Sequence, residues 1–199
     1  MEKKVVAAFD FDGTISKRDT FIPFALFIVG PSRWLVGLFS LIPSTVKFMF
    51  RKMSRQKLKE KTMTVFLQGI SYKELRREGH EFAHEVIPKL LKIKALEQLF
   101  WHQEQGHTVI LVSASPEVYL TPWAEKMGIN HVCASKLALD DDGNVTGKLD
   151  GLNCRGKEKV RRLQELLGDK KEYVLYAYGD SPGDREMLSL ADHAFYRKI

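Results

Sequence analysis

Cysteine is nearly absent from this 199-residue chain, which holds only Cys133 and Cys154. With no CxxC pair, neither a disulfide framework nor a structural zinc site is supported, and both read as buried or incidental thiols of a reducing compartment. A secretory leader is also lacking. Met1-Glu2-Lys3-Lys4 and the brief apolar run behind it have no long apolar region and no small-residue cleavage site, so cytoplasmic residence is the expectation. No internal repeat or low-complexity tract appears. An uninterrupted apolar span of about twenty residues, the length that crosses a bilayer as a helix, is missing as well. The most apolar region, Phe21 to Phe50, is interrupted by Gly30-Pro31 and by Pro43.

What is present is ordinary in bulk. Hydrophobic residues make up 44% and charged residues 28%, which suits a soluble protein with one well-buried core and room for a smaller inserted unit. The net charge of +6 permits attraction to phosphorylated or anionic partners and says nothing about fold.

Along the chain the pattern changes once. Val5 to Phe9 is a short apolar run of strand length. Nearly all of residues 17–95 then reads as helix, with no strand signal. Phe21 to Phe50 carries only Arg33 and Lys47 as charges and reads as two or three short apolar helices. Arg51 to Lys61 sets six basic side chains against one acid. Ser71-Tyr72-Lys73-Glu74 has the form of a capping box opening a further helix. Pro88 begins or kinks the next, with Leu90, Leu91, Ile93, Leu96 and Leu99 as its core stripe. From Thr108 strands and helices alternate, which predicts a parallel sheet with helices on its faces. The strands are Thr108 to Val112, ending at Ser113, then His131 to Ala134, Tyr173 to Tyr178 and Ala194 to Tyr196. Ser115 and Pro116 read as N-cap and first helical residue, Asp142-Gly143 as a hairpin turn, and Lys157 to Leu167 as a helix.

The chemistry gathers at the strand ends, where open α/β sheets hold their ligands. Asp10 and Asp12 are two residues apart in extended backbone and project to one side, Gly13 allows a tight turn, and Thr14 adds a hydroxyl. Two carboxylates that close require a cation or a shared proton, which fits a divalent metal beside a carboxylate nucleophile. Ser113 ends the next strand. In Gly179-Asp180-Ser181-Pro182-Gly183-Asp184, the last four residues can cap a helix, which accounts for Asp184 and leaves Asp180 unexplained. Lys159 lies in a first helical turn, against the helix dipole; Lys157 is its near neighbour.

These parts, in this order, resemble the four motifs of the haloacid dehalogenase-like (HAD) phosphohydrolases: D-x-D-G-T at Asp10, a strand ending in Ser113, a helix-start lysine, and G-D-x-x-x-D at Asp180 and Asp184. The resemblance covers almost the whole chain. Its long helical insert is similar to the cap of subclass I enzymes of the phosphoserine phosphatase kind (subfamily IB). It implies an α/β fold, a Rossmann-like core of residues 1–16 and 96–199 with an inserted all-helical cap domain, residues 17–95. It also implies a Mg²⁺-dependent phosphatase that cleaves a phosphomonoester through an aspartyl-phosphate on Asp10. Asp12 would then be the acid and base. Ser113 would hydrogen-bond the phosphate. Lys159, preferred to Lys157 for the apolar spacing behind it, would neutralise charge. Asp10, the Asp12 carbonyl and Asp180 would hold Mg²⁺ with Asp184 orienting them, and Gly13, Thr14, Asp19 and Ala114 would line the substrate.

Two features depart from phosphoserine phosphatases: Asp19 stands where they carry a glutamate, and Ala114-Ser115-Pro116 stands where they tend to have two glycines. The pattern around Ser113 and Cys154 is more similar to a neighbouring group that includes phosphatidylglycerophosphate phosphatases. The expected substrate is therefore a phosphorylated small molecule or a lipid phosphate. The region Phe21 to Lys61 reads either as a helical subdomain with its basic face in water or as a greasy, cation-rimmed surface in peripheral contact with the inner face of a membrane. A degenerate HAD binding module is disfavoured because Asp10, Asp12 and Asp180 are all present. No nucleic-acid partner is expected, since the basic run from Arg51 to Thr64 has no interleaved aromatics.

Overall fold

The computed structural model describes residues 3–199; Met1 and Glu2, on which the leader reading partly rests, lie outside them. One six-stranded sheet runs β4-β3-β2-β1-β5-β6. Its central strand is β1 (Lys4–Phe9), parallel to β2 (Thr108–Pro116) on one side and to β5 (Tyr173–Gly179) on the other. Next to β2 lies β3 (His131–Leu139), parallel, and next to β5 lies β6 (His193–Tyr196), also parallel. Only β4 (Val145–Asp150), the hairpin partner of β3, is antiparallel. The hairpin closes where expected, with Gly143 at φ +78° and the Asp140 carboxylate accepting from the amides of Asp142 and Asn144.

Strand β1 is apolar on both faces because both are covered. Ala7 and Phe9 join a core cluster with α3 (Tyr72–Glu85), α5 (Ile93–Glu104) and α6 (Glu117–Lys126). Val6 and Ala8 join a second cluster under α7 (Lys157–Leu167) and α8 (Arg185–Leu190). Helices therefore lie on both sides of a mostly parallel sheet, and the parallel strands β1, β2 and β5 carry their carboxyl ends to the same edge.

The region between β1 and α5 is helical, as expected, with local differences. Phe21–Met49 (α1) is two helical segments joined at Gly30, whose φ of +72° and ψ of 168° no helix contains. Pro31 starts the second segment. That segment runs on unbroken through Pro43, so two helices form rather than three. Helix α2 (Arg55–Leu67) folds back on it, with the Ser54 hydroxyl accepting from Lys57 N–H. The capping box expected at Ser71 does not form. The backbone of Ser71 bridges to Asn144 and Tyr72 N–H donates to Gly143 O, so the hairpin anchors the start of this helix. The stripe expected from Leu90 to Leu99 is broken. After α4 (Ile87–Leu90) the chain extends at Leu91 and Lys92 to bridge Ser16, leaving Ile93 exposed while Leu99 is buried.

Candidate active site

Asp10 is the first residue beyond β1. The loop after it, Phe11 to Ile15, is closed by Ser16 N–H donating to Phe11 O at 2.9 Å. Gly13 is required there twice over. Its φ is +77°, and a Cβ would lie 2.3 Å from Asp180 Oδ2. Lys92, from the break before α5, donates to the Gly13 carbonyl at 2.5 Å and so holds the loop from beneath.

Asp10 is buried, 7% exposed. Its Oδ1 accepts from Lys159 Nζ at 2.6 Å, and its Oδ2 accepts from the Thr14 hydroxyl at a longer 3.3 Å. The Lys159 ammonium spends its other protons on Asp184 Oδ1, 2.7 Å, and the Val112 carbonyl, 2.6 Å. Asp184 Oδ2 accepts from the amide and hydroxyl of Ser181, each at 2.9 Å, in the capping box expected from the sequence. Lys157, by contrast, points into solvent. Its first-turn position costs Lys159 little, because the two carboxylates outweigh the helix dipole.

Oxygens of Asp10, Asp180 and Asp184 lie within 4.8 Å of one another. Asp180 Oδ1 is buried without a hydrogen-bond partner. Three carboxylates against one ammonium leave this knot two charges negative. An all-oxygen donor set of that charge, with one orphaned oxygen, fits a hard divalent cation such as Mg²⁺.

Asp12 points elsewhere. Its Oδ1 accepts from the amide (2.9 Å) and hydroxyl (2.6 Å) of Thr20, and its Oδ2 from the Ser115 hydroxyl. Any share of Asp12 in a metal shell therefore falls to its main-chain carbonyl. Burial, with Asp19 close by, pushes the Asp12 carboxyl up to about 7. Burial also raises Asp10, to about 6, because the pull of Lys159 offsets only part of it. Lys159 would lose its proton more readily for being buried, yet Asp10 and Asp184 overcome that and hold it protonated. Asp184 is likewise buried, but Lys159 keeps it below the usual carboxylate range.

Asp10, Asp12, Gly13, Asp19, Ser113, Ala114, Lys159, Asp180 and Asp184 line one cavity of about 380 Å³. Every sequence-predicted site residue except buried Thr14 opens onto it. Asp19 is exposed, and its Oδ1 accepts from Ile22 N–H at the start of α1, a capping role that competes with a substrate. Asp12, Asp19, Ala114 and Arg155 continue into a second cavity of about 320 Å³, walled by Phe21, Ile22, Arg55, Leu58 and Lys59.

Several residues of this site, Ser115 and Lys59 among them, were not legible in the sequence. Strand β2 continues to Pro116, so Ser115 is no helix cap and turns its hydroxyl to Asp12. Lys59 sits in a run whose other cations face water, yet it is largely buried. It donates to Ala114 O and, at 2.7 Å, to Asn153 Oδ1, and burial drops it to about 8. Its place on the inner face of α2, four residues after Arg55 and beside apolar Leu58, is the only sequence signal.

Residues 7–189 match the family model described as haloacid dehalogenase-like hydrolase. Protein CicA of Caulobacter vibrioides is 37% identical over 193 residues, 97% of this chain and 86% of that protein. A crystal structure of a protein of unknown function from Bordetella pertussis superposes with a TM-score of 0.81 at 23% identity, over 94% of this chain and 87% of that one. A phospho-aspartyl intermediate analogue of phosphoserine phosphatase superposes with a TM-score of 0.61 at 19% identity, over 96% and 84%. By its matched motifs, its sheet order and its relatives, the chain belongs to the haloacid dehalogenase-like hydrolase family.

Proposed function

We propose that this protein is a Mg²⁺-dependent phosphatase that hydrolyses a phosphomonoester through an aspartyl-phosphate on Asp10. The observation that carries this reading is the division of the Asp10 carboxylate beside the cavity it lines: one oxygen is gripped by Lys159, and the other takes only a long side-chain hydrogen bond, from Thr14, among the described residues. Similarity to a probable phosphatase of Mycobacterium tuberculosis, 30% identical over 135 residues, supports the same class of reaction.

In this reading Asp10, Asp180 and the Asp12 carbonyl would hold the metal, with Asp184 fixing the arrangement through Lys159 and Ser181. The ion would supply positive charge beside the phosphoryl oxygens. Asp10 Oδ attacks phosphorus as the bond to the leaving oxygen breaks, and Asp12, protonated at the start, gives that oxygen its proton. Asp12 then takes a proton from water, which attacks the aspartyl-phosphate and frees phosphate and Asp10. A carboxyl near 7 suits both halves of that duty. Ser113 and Lys159 would bind the phosphate, with Gly13, Thr14 and Ala114 shaping its cradle. Residues 17–95 would act as the cap, the rest as the core. The second cavity would take the leaving group, and Arg55, Lys59 and Arg155 on its wall favour one that carries its own negative charge. The two free cysteines suit a reducing cytoplasm.

The test is phosphate release from p-nitrophenyl phosphate and from a panel of soluble and lipid phosphomonoesters, with and without EDTA. Phosphoryl label on the Asp10 peptide after acid quenching is expected, and both label and turnover should vanish in Asp10→Asn. Full turnover in a folded Asp10→Asn protein would overturn the mechanism.

A further inference from the structure

The second segment of α1, from Pro31 to Met49, carries two apolar stripes. One is used: Gly37, Leu41 and Ser44 are buried, with Phe48 half-buried, at the spacing of one helical face. Gly37 meets the Phe66 ring of α2 so closely that a Cβ would lie 2.3 Å from it. The other stripe is not used. Leu35, Phe39, Ile42, Val46 and Met49 recur at intervals of four and three, and all face solvent. Flanked by Val36 and Phe50, they form one continuous strip in which Val36 and Phe39 are each 70% exposed, Phe50 72% and Met49 74%. A helix packed against its neighbour by one face needs no second apolar face, and exposed patches of this kind mark docking surfaces.

Charge selects the occupant. From Thr20 to Lys59 none of the forty residues is acidic and seven are basic. Arg33, Lys47, Arg51, Lys52, Arg55 and Lys57 are exposed around the strip and at its C-terminal end. A second copy of this chain laid on the same strip would bring cations against cations with no acid to pair them, which disfavours self-association. An apolar strip bordered by lysine and arginine matches the interface of a bilayer with anionic headgroups, the apolar side chains entering the acyl boundary and the cations meeting phosphates.

We infer that the outer face of α1 docks on an anionic lipid bilayer, lying in its plane. The docked edge ends at the catalytic opening: the Arg55 guanidinium sits 5.4 Å above the Phe48 ring and also walls the second cavity. The docked protein thus faces its leaving-group cavity toward the headgroup layer. This inference stands apart from the catalytic reading, since it concerns binding and is measured without turnover.

The experiment is flotation of the full chain with vesicles of phosphatidylcholine alone and with vesicles also containing phosphatidylglycerol. The protein is expected to float with the anionic vesicles and to stay behind with the neutral ones. Phe39→Asp with Val46→Asp should weaken binding about a hundredfold, roughly tenfold for each side chain. Their hydrolysis of soluble p-nitrophenyl phosphate, and their melting temperature, should stay those of the parent. Arg51→Glu with Lys52→Glu, which touches no apolar residue, should weaken it too. Equal binding by parent and Phe39→Asp/Val46→Asp protein would overturn the inference, as would no binding to either vesicle. So would a dimer in light scattering that these same substitutions dissolve, because the strip would then be covered by a second copy.

Discussion

Replacing Lys159 by Met tests how the buried charges are balanced. In the parent, the ammonium is 2% exposed and lies 2.6 Å from Asp10 and 2.7 Å from Asp184, which are nearly as buried. Met fills a similar volume, so little packing is lost, while two carboxylates lose the one cation that is paired with them among the described residues. Breaking a buried pair by removing one partner costs about 3–5 kcal/mol. For a chain of this length that lowers the melting temperature by about 6–20 °C. The cost should shrink as pH falls. Without Lys159 the Asp10 carboxyl, already raised by burial, rises further, and Asp184 loses the cation that holds it below the usual carboxylate range. The folded state then binds more protons, so its stability increases toward acid. Asp184→Asn in the Lys159→Met background should restore part of the loss, because Asn still accepts from Ser181 and carries no charge. Mg²⁺ should also restore part of it, by binding the folded state alone. Urea unfolding of the single and double variants with EDTA, at pH 5 and 8, provides the readings. A Lys159→Met protein within 1 kcal/mol of the parent at pH 8, or one that loses stability toward acid faster than the parent, would refute this charge balance.

Gly13→Ala should abolish Mg²⁺-stimulated turnover, since the new Cβ takes the place of Asp180 Oδ2, and a Mg²⁺ titration followed by melting temperature should lose its rise. Lys59→Met should raise KM well above its effect on kcat for anionic substrates. In the parent the same KM should climb as pH passes about 8, where Lys59 gives up its proton, and the variant should lack that limb. His102 is fully buried, its Nε2 2.9 Å from Tyr178 Oη and its Nδ1 2.8 Å from that of His107, and burial lowers it from 6.5 to about 4. The unfolded chain therefore binds the extra proton between those values. Stability should be flat with respect to this residue above about pH 6.5 and fall from there toward 4, and His102→Gln should flatten the fall in urea unfolding.

Much of this architecture is legible in the sequence for a simple reason. Strands buried on both faces must be apolar runs, and the runs ending at Phe9, Val112 and Tyr178 stop where a polar group is needed, so strand ends and site residues announce each other. Lys159 stands out as a cation at a helix start, where local physics disfavours one. Ser115, Lys59 and Lys92 carry no such conflict. Serine before proline is a good helix cap, lysine in a basic run is a good surface residue, and only the fold turns them inward. The start of α3 is likewise held by a hairpin more than seventy residues later, which local sequence cannot announce. The second stripe of α1 was visible as apolar density, but which side of the helix packs depends on α2.

The placement of β1 has a consequence for how the molecule comes into being. It is made before its partners, for Val6 pairs with Thr108 on one side and Leu175 on the other, and Asp10 meets its cation at Lys159. While the chain emerges from the ribosome, β1 waits for strand partners more than a hundred residues away, and such long-range pairing is slow. The carboxylate knot closes only when Asp184 has arrived. A chain cut short before β5 would leave one edge of β1 unpaired and present Asp10 without Asp180 and Asp184, and should be found aggregated or bound to chaperones.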